Sequence, residues 1–381
     1  MRRTLDSCAR AGLSVVLTLG LHVAPPWVGE VAAAGTYRDQ AGGTGPADVP
    51  NVVFSAAVRD AVAKYLTELD RVVRLNSVAA IRVGTGYNGE LGYPTGGTQS
   101  AADYPFWAFD EAAQTGAGLA QGASVSPMPG WTPGSPEWNG RAVQSEDVDA
   151  WFGWYTRSVA DAVVWIVQTL RDQGFERDIH LPLAGRGTLP QDRRIAVAAR
   201  LDGAGAAAQD GSLQSGRYYP EQLPHIAQQL TQVEHPRWGA VFADTTSIDD
   251  ATAVSARQQS PPQDRCRPGD SERDLLSDPE VTEWSSFRWT IANARQAGLD
   301  VIGENPGGPD TPRTGGNSMT DSSDEQLVRA PEYARDCGLA LFMWAFEDNL
   351  CGEPDALGAY ARRIRAMKDD PSGVSDEESC T

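Results

Sequence analysis

One short pattern recurs along the chain. Ala9-Arg10-Ala11-Gly12-Leu13, Ala294-Arg295-Gln296-Ala297-Gly298-Leu299 and Ala334-Arg335-Asp336-Cys337-Gly338-Leu339 each carry Ala and Arg up to a Gly, after which a Leu opens a short apolar run. Arg171-Asp172-Gln173-Gly174-Phe175, ahead of Ile179–Leu183, is a looser fourth copy. Such a junction reads as a helix closed by a Gly in the left-handed region and followed at once by a buried strand. A chain that repeats this step alternates helices with strands, which implies a parallel sheet covered by helices.

Apolar periodicity places the elements. Val58, Val62, Tyr65, Leu69 and Val72 recur near a helical period within 54–73. The clearest helix spans Ser145–Gln173, with Ser145 as cap, Glu146 and Asp147 in the first turn, and an inner stripe of Val148, Phe152, Tyr155, Val159, Val163, Ile166 and Leu170. Asp278-Pro279 suits the start of another helix, with Val281, Trp284, Phe287 and Ile291 facing inward. Strands are expected at Leu13–Leu21, Val78–Val83, Ile179–Ala184, Trp238–Ala243, Leu299–Gly303 and Gly338–Ala345.

No G-x-G-x-x-G follows a strand, which counts against a doubly wound dinucleotide fold. Polar residues instead follow the C-terminal strand ends: His22, Asn88 and Glu90, Arg186, Asp244, Glu304 and Asn305, and Trp344 through Glu347. A TIM (β/α)8 barrel keeps its site on that face. The expected fold is therefore an α/β TIM barrel over residues 1–368, with 369–381 as a disordered acidic tail. Only six strands can be read where a closed barrel has eight. Loops rich in Gly, Pro and Ser (92–143, 250–277 and 305–323) would rim the same face.

Charge narrows the partners. Against 32 Lys and Arg stand 51 Asp and Glu, a formal net charge of −19. That excess repels phosphate backbones and anionic lipid, so neither nucleic acid nor a membrane is an expected partner. No run of about 18 apolar residues offers a transmembrane span. His22, His180, His225 and His235 lack the spacing of helical metal ligands, and the five Cys are scattered, so neither metal nor cofactor is expected. The first 35 residues admit two readings, a secretory leader ending at Ala32-Ala33-Ala34 or a helix tail feeding a strand. Asp6 and Arg10 delay the apolar stretch, and His22, Pro25, Pro26 and Trp27 interrupt it; both facts favour the second.

The sharpest chemical signal is Val83-Gly84-Thr85-Gly86-Tyr87-Asn88-Gly89-Glu90-Leu91-Gly92-Tyr93-Pro94. Here a carboxylate leaves a buried strand among glycines that let a ligand approach closely. Val301-Ile302-Gly303-Glu304-Asn305-Pro306-Gly307-Gly308 repeats the arrangement three strands later. Each alone also fits a surface Glu in a Gly-rich turn or a helix-capping carboxylate. Two at strand ends of one barrel would converge, and paired carboxylates are what glycosidic cleavage needs. One, with a raised pKa, protonates the leaving oxygen; the other attacks the anomeric carbon or activates water.

Gly89-Glu90-Leu91-Gly92-Tyr93-Pro94 resembles the acid-bearing GEL-x-YP motif of β-amylases. The order of two Glu, after a fourth and a seventh strand, resembles the family 42 β-galactosidases and the wider clan A glycosidases. Leu17–Trp27, with the Pro25-Pro26-Trp27 turn, looks like the third strand and loop of such barrels. Two departures stand out: Gly89 intervenes between Asn88 and Glu90, where clan A enzymes join Asn directly to the acid, and the Glu304 region departs from the β-amylase base motif.

The resemblance implies a glycoside hydrolase acting on a carbohydrate such as a β-galactoside, with Glu90 as acid/base and Glu304 as nucleophile. In the barrel reading His22, Trp27, Asn88, Arg186, Asp244, Asn305 and Trp344 are candidates for substrate contacts, and loop tryptophans such as Trp107, Trp131 and Trp138 for stacking on sugar rings. The alternatives are an inverting, amylase-like hydrolase, a non-catalytic carbohydrate-binding barrel, and an inactive fragment. With Glu90 after strand 4, strands 1 and 2 would precede the chain, so a longer parent protein is expected. Cys266 and Cys351 both follow strand ends and are expected to form a disulfide, which favours an extracytoplasmic location.

Overall fold

The computed structural model describes residues 1–28, 30–31, 34–94, 102–209, 211–231, 235–248, 264–304, 326–344 and 358. The protein is mixed α/β and divides into two compact units, residues 1–182 with 187–241 and residues 183–186 with 242–381.

The first unit holds α1 (Arg2–Arg10), β1 (Val16–Thr18), α2 (Ala56–Val73), β2 (Ala80–Arg82), α3 (Glu111–Thr115), α4 (Ser145–Asp172), β3 (Asp178–Leu183, whose last residue falls in the second unit), α5 (Pro190–Ala198), α6 (Ala206–Gln209) and α7 (Tyr219–Thr231). β1 pairs in parallel with β2, and β2 with β3, so that Thr18, Arg82 and His180 stand in one row. The second unit holds β4 (Val241–Thr245, from Phe242 on), α8 (Ser286–Gln296), β5 (Asp300–Glu304), α9 (Gln326–Asp336) and β6 (Phe342–Met343). Its strands are also parallel and in chain order, with Asp244 opposite Ile302 and Glu304 opposite Met343.

All four recurrent glycines close helices. Gly12, Gly174, Gly298 and Gly338 have φ of 71°, 90°, 80° and 62°. After each, the next residue's N–H reaches back five residues: Leu13 to Cys8 O (2.9 Å), Phe175 to Leu170 O (3.0 Å), Leu299 to Ala294 O (3.0 Å) and Leu339 to Ala334 O (2.9 Å). Each Gly N–H also donates to the carbonyl three residues back, which completes the two-bond cap. A Cβ at Gly12, Gly174 or Gly298 would meet nothing within 4 Å, so the requirement is torsional, not steric. The helix-tail reading of residues 2–13 fits this structure, with α1 leading through Gly12 to β1.

Several expectations need correcting. On α2 the buried face is Val58, Val62, Leu66, Leu69 and Val73, while Tyr65 and Val72 are each 40% exposed. Tyr65 instead passes its hydroxyl to Leu19 O at 2.9 Å. α4 buries its whole predicted stripe, but its cap is Gln144 rather than Ser145. The Asp147 carboxylate accepts from Gln144 N (2.9 Å) while pairing with Arg141 (2.6 Å), which fixes the start one residue earlier. Asp278-Pro279 opens a short 3-10 turn, Pro279–Glu283, and α8 begins only at Ser286. Ser285 is the cap of α8, and its own N–H is taken by the Asp264 carboxylate at 2.9 Å.

Two of the loop tryptophans, Trp107 and Trp131, are packing, not a rim, while Trp138 is half-buried. Trp107 and Trp131 are each 1% exposed. Trp131 lies edge-on to Trp151 of α4 at 5.5 Å, and Tyr93 stacks on Tyr155 at 4.1 Å. The first half of α4 therefore carries an aromatic core of its own.

The disulfide joins Cys266 to Cys337, with Cα atoms 5.1 Å apart, and not to Cys351, which lies outside the described residues. The expectation assumed that the segment after β4 stays at the strand C-termini. It instead runs along α8: Asp264 binds Arg288 near the helix start (2.7 Å), and Ser271 O and Arg273 O accept from Gln296 at its end (3.2 and 3.1 Å). Cys266 thus comes beside the end of α9, where Arg295 Nη2 holds Cys337 O at 2.5 Å.

Two predictions follow from this packing. Gly298→Ala should cost about 1 kcal/mol in urea unfolding, since only the left-handed φ is penalised. Asp110, the cap of α3, is 2% exposed, and burial pushes its carboxyl up to about 6 despite the Ala113 N–H and the Asn51 amide. A raised folded-state pKa means the fold prefers the protonated form, so stability is gained as pH falls through 6 and lost above it. Asp110→Asn should therefore raise the melting temperature most above pH 6, with the gain shrinking towards pH 4.

Candidate functional site

In the first unit the chain turns sharply after β2. Thr85 N and Gly86 N both donate to Glu90 O (3.1 and 2.9 Å), Thr85 Oγ1 donates to Gly92 O (2.9 Å), and Leu91 N donates to Pro182 O (2.8 Å). A Cβ on Gly84 would lie 1.9 Å from Gly89 O, so this glycine is demanded by space. Asn88 and Gly89 are both left-handed, with φ of 62° and 73°. The turn thereby fixes the point from which the half-buried Glu90 side chain starts.

His22 sits in a 3-10 turn, Leu21–Val23, behind left-handed Gly20. Its ring crowds the same turn: a Cβ on Gly89 would be 2.9 Å from His22 Nδ1 and Cε1. Burial lowers the His22 pKa and Arg82 adds to that, with Asp48 opposing. The ring is therefore neutral at neutral pH. Trp27, in the following 3-10 turn, is 59% exposed, and Asn88 is exposed too.

Four residues here escaped the reading by strand ends. Arg82 and His180 lie inside β2 and β3, where one polar position in an apolar strand was the only signal. Burial first and Arg82 second push His180 down to about 4. Arg217 and Tyr219 arrive on the segment leading into α7, which carries no strand-end signature. Ser215 of that segment accepts from Tyr93 N at 2.8 Å, and Arg217 Nε donates to Ser215 Oγ at 2.7 Å, so the segment is pinned to the Glu90 turn. Tyr219 is fully buried; burial raises its hydroxyl pKa, Arg217 opposes that, and Glu90 adds to it. His22, Asn88 and Glu90 are thus together in the first unit, with Arg82 and Tyr219 as neighbours.

The second unit carries the other candidates. Asp244 is wholly buried in β4 opposite Ile302, and alternation along β5 puts Ile302 and Glu304 on one face, so Asp244 and Glu304 share that face. Arg186 Nη2 donates to Trp284 O at 2.6 Å, and Arg186 O accepts from Trp289 Nε1 at 3.0 Å, which ties it to the approach of α8. Trp344 is half-buried one residue beyond β6, its ring edge-on to Phe342 at 6.3 Å. Asn305 lies outside the described residues.

Among the described residues no group of three or more His, Cys, Asp or Glu is placed to hold a metal ion, and no helix is long and apolar enough to cross a membrane. No family model matches the chain, and no curated protein matches it.

The Glu90 turn gives a sharp expectation. Gly84→Ala should destabilise by roughly 1–3 kcal/mol through overpacking against the Gly89 carbonyl, measured by urea unfolding. An effect well under about 1 kcal/mol would mean that the turn is not tightly closed.

Proposed function

We propose that the protein is a glycoside hydrolase on a TIM-type barrel, with its six parallel strands corresponding to the third to eighth of that fold. Glu90 is the general acid/base and Glu304 the nucleophile. The observation that carries the reading is the turn at Glu90, in which glycines required by space and by φ hold a carboxylate at the C-terminal end of a parallel strand. Glu304 ends β5, also a parallel strand, with Asp244 on its face.

In this mechanism Glu90 donates its proton to the departing glycosidic oxygen while Glu304 attacks the anomeric carbon. Glu90, now a carboxylate, then takes a proton from the water that releases the sugar. Neutral His22 and Asn88 bond sugar hydroxyls, and the exposed Trp27 face stacks on a ring. Asp244 sets the charge around Glu304. The substrate is a β-linked sugar such as a galactoside.

Hydrolysis of a panel of aryl β-glycosides by the parent, Glu90→Gln and Glu304→Gln tests this directly. Removing either group should cut kcat/KM by about 100-fold or more. The configuration of the first-formed sugar, followed by NMR, separates the two mechanisms: retention requires Glu304 as nucleophile, whereas inversion makes it the base for water. A parent chain inactive on every glycoside, or unchanged rates in both variants, overturns the reading.

A further inference from the structure

At the other end of β1 and β2 from Glu90, the first unit contains an open groove of about 570 Å3 between α1 and the segment 73–79. Ser14 and Val15, which lead into β1, and Ala79, which leads into β2, form part of its wall, so it lies at the strand N-termini. Its volume falls in the range of small-molecule sites. Leu5, Leu13, Val15 and Val78 supply an apolar lining, and Leu13 is 63% exposed, unusual for a leucine beside a strand.

Three arginines line the same groove: Arg2, Arg74 and Arg177. Asp6 is the one acid in the lining. Arg2 is held only by Nε, which donates to Val72 O at 2.9 Å, and Arg177 only by Nε, which donates to Asn76 O at 3.1 Å. Among the described residues their terminal nitrogens have no protein partner, and the Arg74 side chain has none on any of its nitrogens. Three such guanidinium groups together are unexpected in a chain of net charge −19, where every mobile acid competes for them.

Arg74 adds an independent sign. It closes α2 in the left-handed region, with φ 58° and ψ 78°. Among the described residues five other helices end on a Gly in the left-handed region, Gly12, Gly116, Gly174, Gly298 and Gly338, and Gly accepts it without strain. A non-Gly residue held there costs about 1–2 kcal/mol. Strain kept at a concave surface points to a use for the side chain. Arg200, at the end of α5 with φ 55°, is similarly strained but lies outside the groove.

We propose that this groove binds an organic phosphate monoester, its dianion held by Arg2, Arg74 and Arg177 and its apolar body lying along Leu13 and Val15. A phosphate carries nearly two negative charges at neutral pH and accepts bidentate bonds from guanidinium forks, so it matches three unpaired arginines better than a monoanion does. The site is separate from the carboxylates of the hydrolase reading and stands or falls without it.

Titration calorimetry of the full chain with phenyl phosphate and with inorganic phosphate, beside Arg74→Gly, Arg177→Ala and Arg200→Gly, decides the matter. Phenyl phosphate should bind, at least about tenfold more tightly than inorganic phosphate, and each groove variant should weaken it by about tenfold or more. Arg74→Gly should melt no lower than the parent, because the strain is relieved, so its loss of binding is not a folding failure. Arg200→Gly should relieve similar strain and bind like the parent. Absence of binding up to about 10 mM, affinity equal to that of inorganic phosphate, or affinity untouched by the groove variants overturns the proposal.

Discussion

The fold turns on how its helices end. A helix must stop, satisfy its last carbonyls and deliver the chain into a strand within a few residues. The left-handed glycine does all three: its own N–H and the next residue's N–H cap the helix while the backbone reverses direction. In this protein Gly12, Gly174, Gly298 and Gly338 perform that step with matching pairs of bonds. A strand begins two to four residues after each such glycine, at Val16, Asp178, Asp300 and Phe342. Glu304, six residues beyond Gly298, closes the strand that this cap opens.

The glycines around Glu90 do a different job. Gly298 is needed for its φ alone, since open space surrounds its Cα, whereas Gly84 has an ordinary φ and no room for a methyl group. The first kind fixes the direction of the chain. The second brings two backbone segments into contact, and that contact lets a carbonyl at Glu90 accept two N–H bonds. A site carboxylate on a loop would normally suffer from the mobility of its support. Packing the loop backbone against itself, then against Pro182 and Ser215, removes that freedom without using side chains that a ligand needs.

This difference explains what was legible in the residues. Alternation, inner stripes and helix ends follow from local rules, so the six strands and the α4 stripe could be read, and so could Glu90 and Glu304 as strand-end carboxylates. Segments that run back over the fold could not. The Cys266–Cys337 bridge depends on residues 264–274 lying along α8, a path set by Asp264 and Asp270 binding Arg288 from outside the helix. Trp107 and Trp131 looked like exposed loop aromatics because no periodicity marks a core built from a loop against one helix face. Arg217 and Tyr219 were hidden for the same reason: a nonlocal bond from Tyr93 N to Ser215 O brings them to the turn.

The arginines show how an acidic chain spends its few cations. Arg288 is 4% exposed, makes two bonds to Asp270 and one to Asp264, and lies 4.0 Å from the Trp284 ring. A charge buried that deeply is tolerable only when fully bonded, and the two acids that bond it also hold the long connection after β4 in place. Arg171, also buried, is satisfied by carbonyls instead, those of Phe175, Arg177 and Gly239. Both solutions leave no guanidinium nitrogen exposed to a competing anion. Arg2, Arg74 and Arg177 follow neither solution: beside a concave, partly apolar surface their terminal nitrogens meet no protein partner among the described residues, which leaves their charge to an anion from outside the chain.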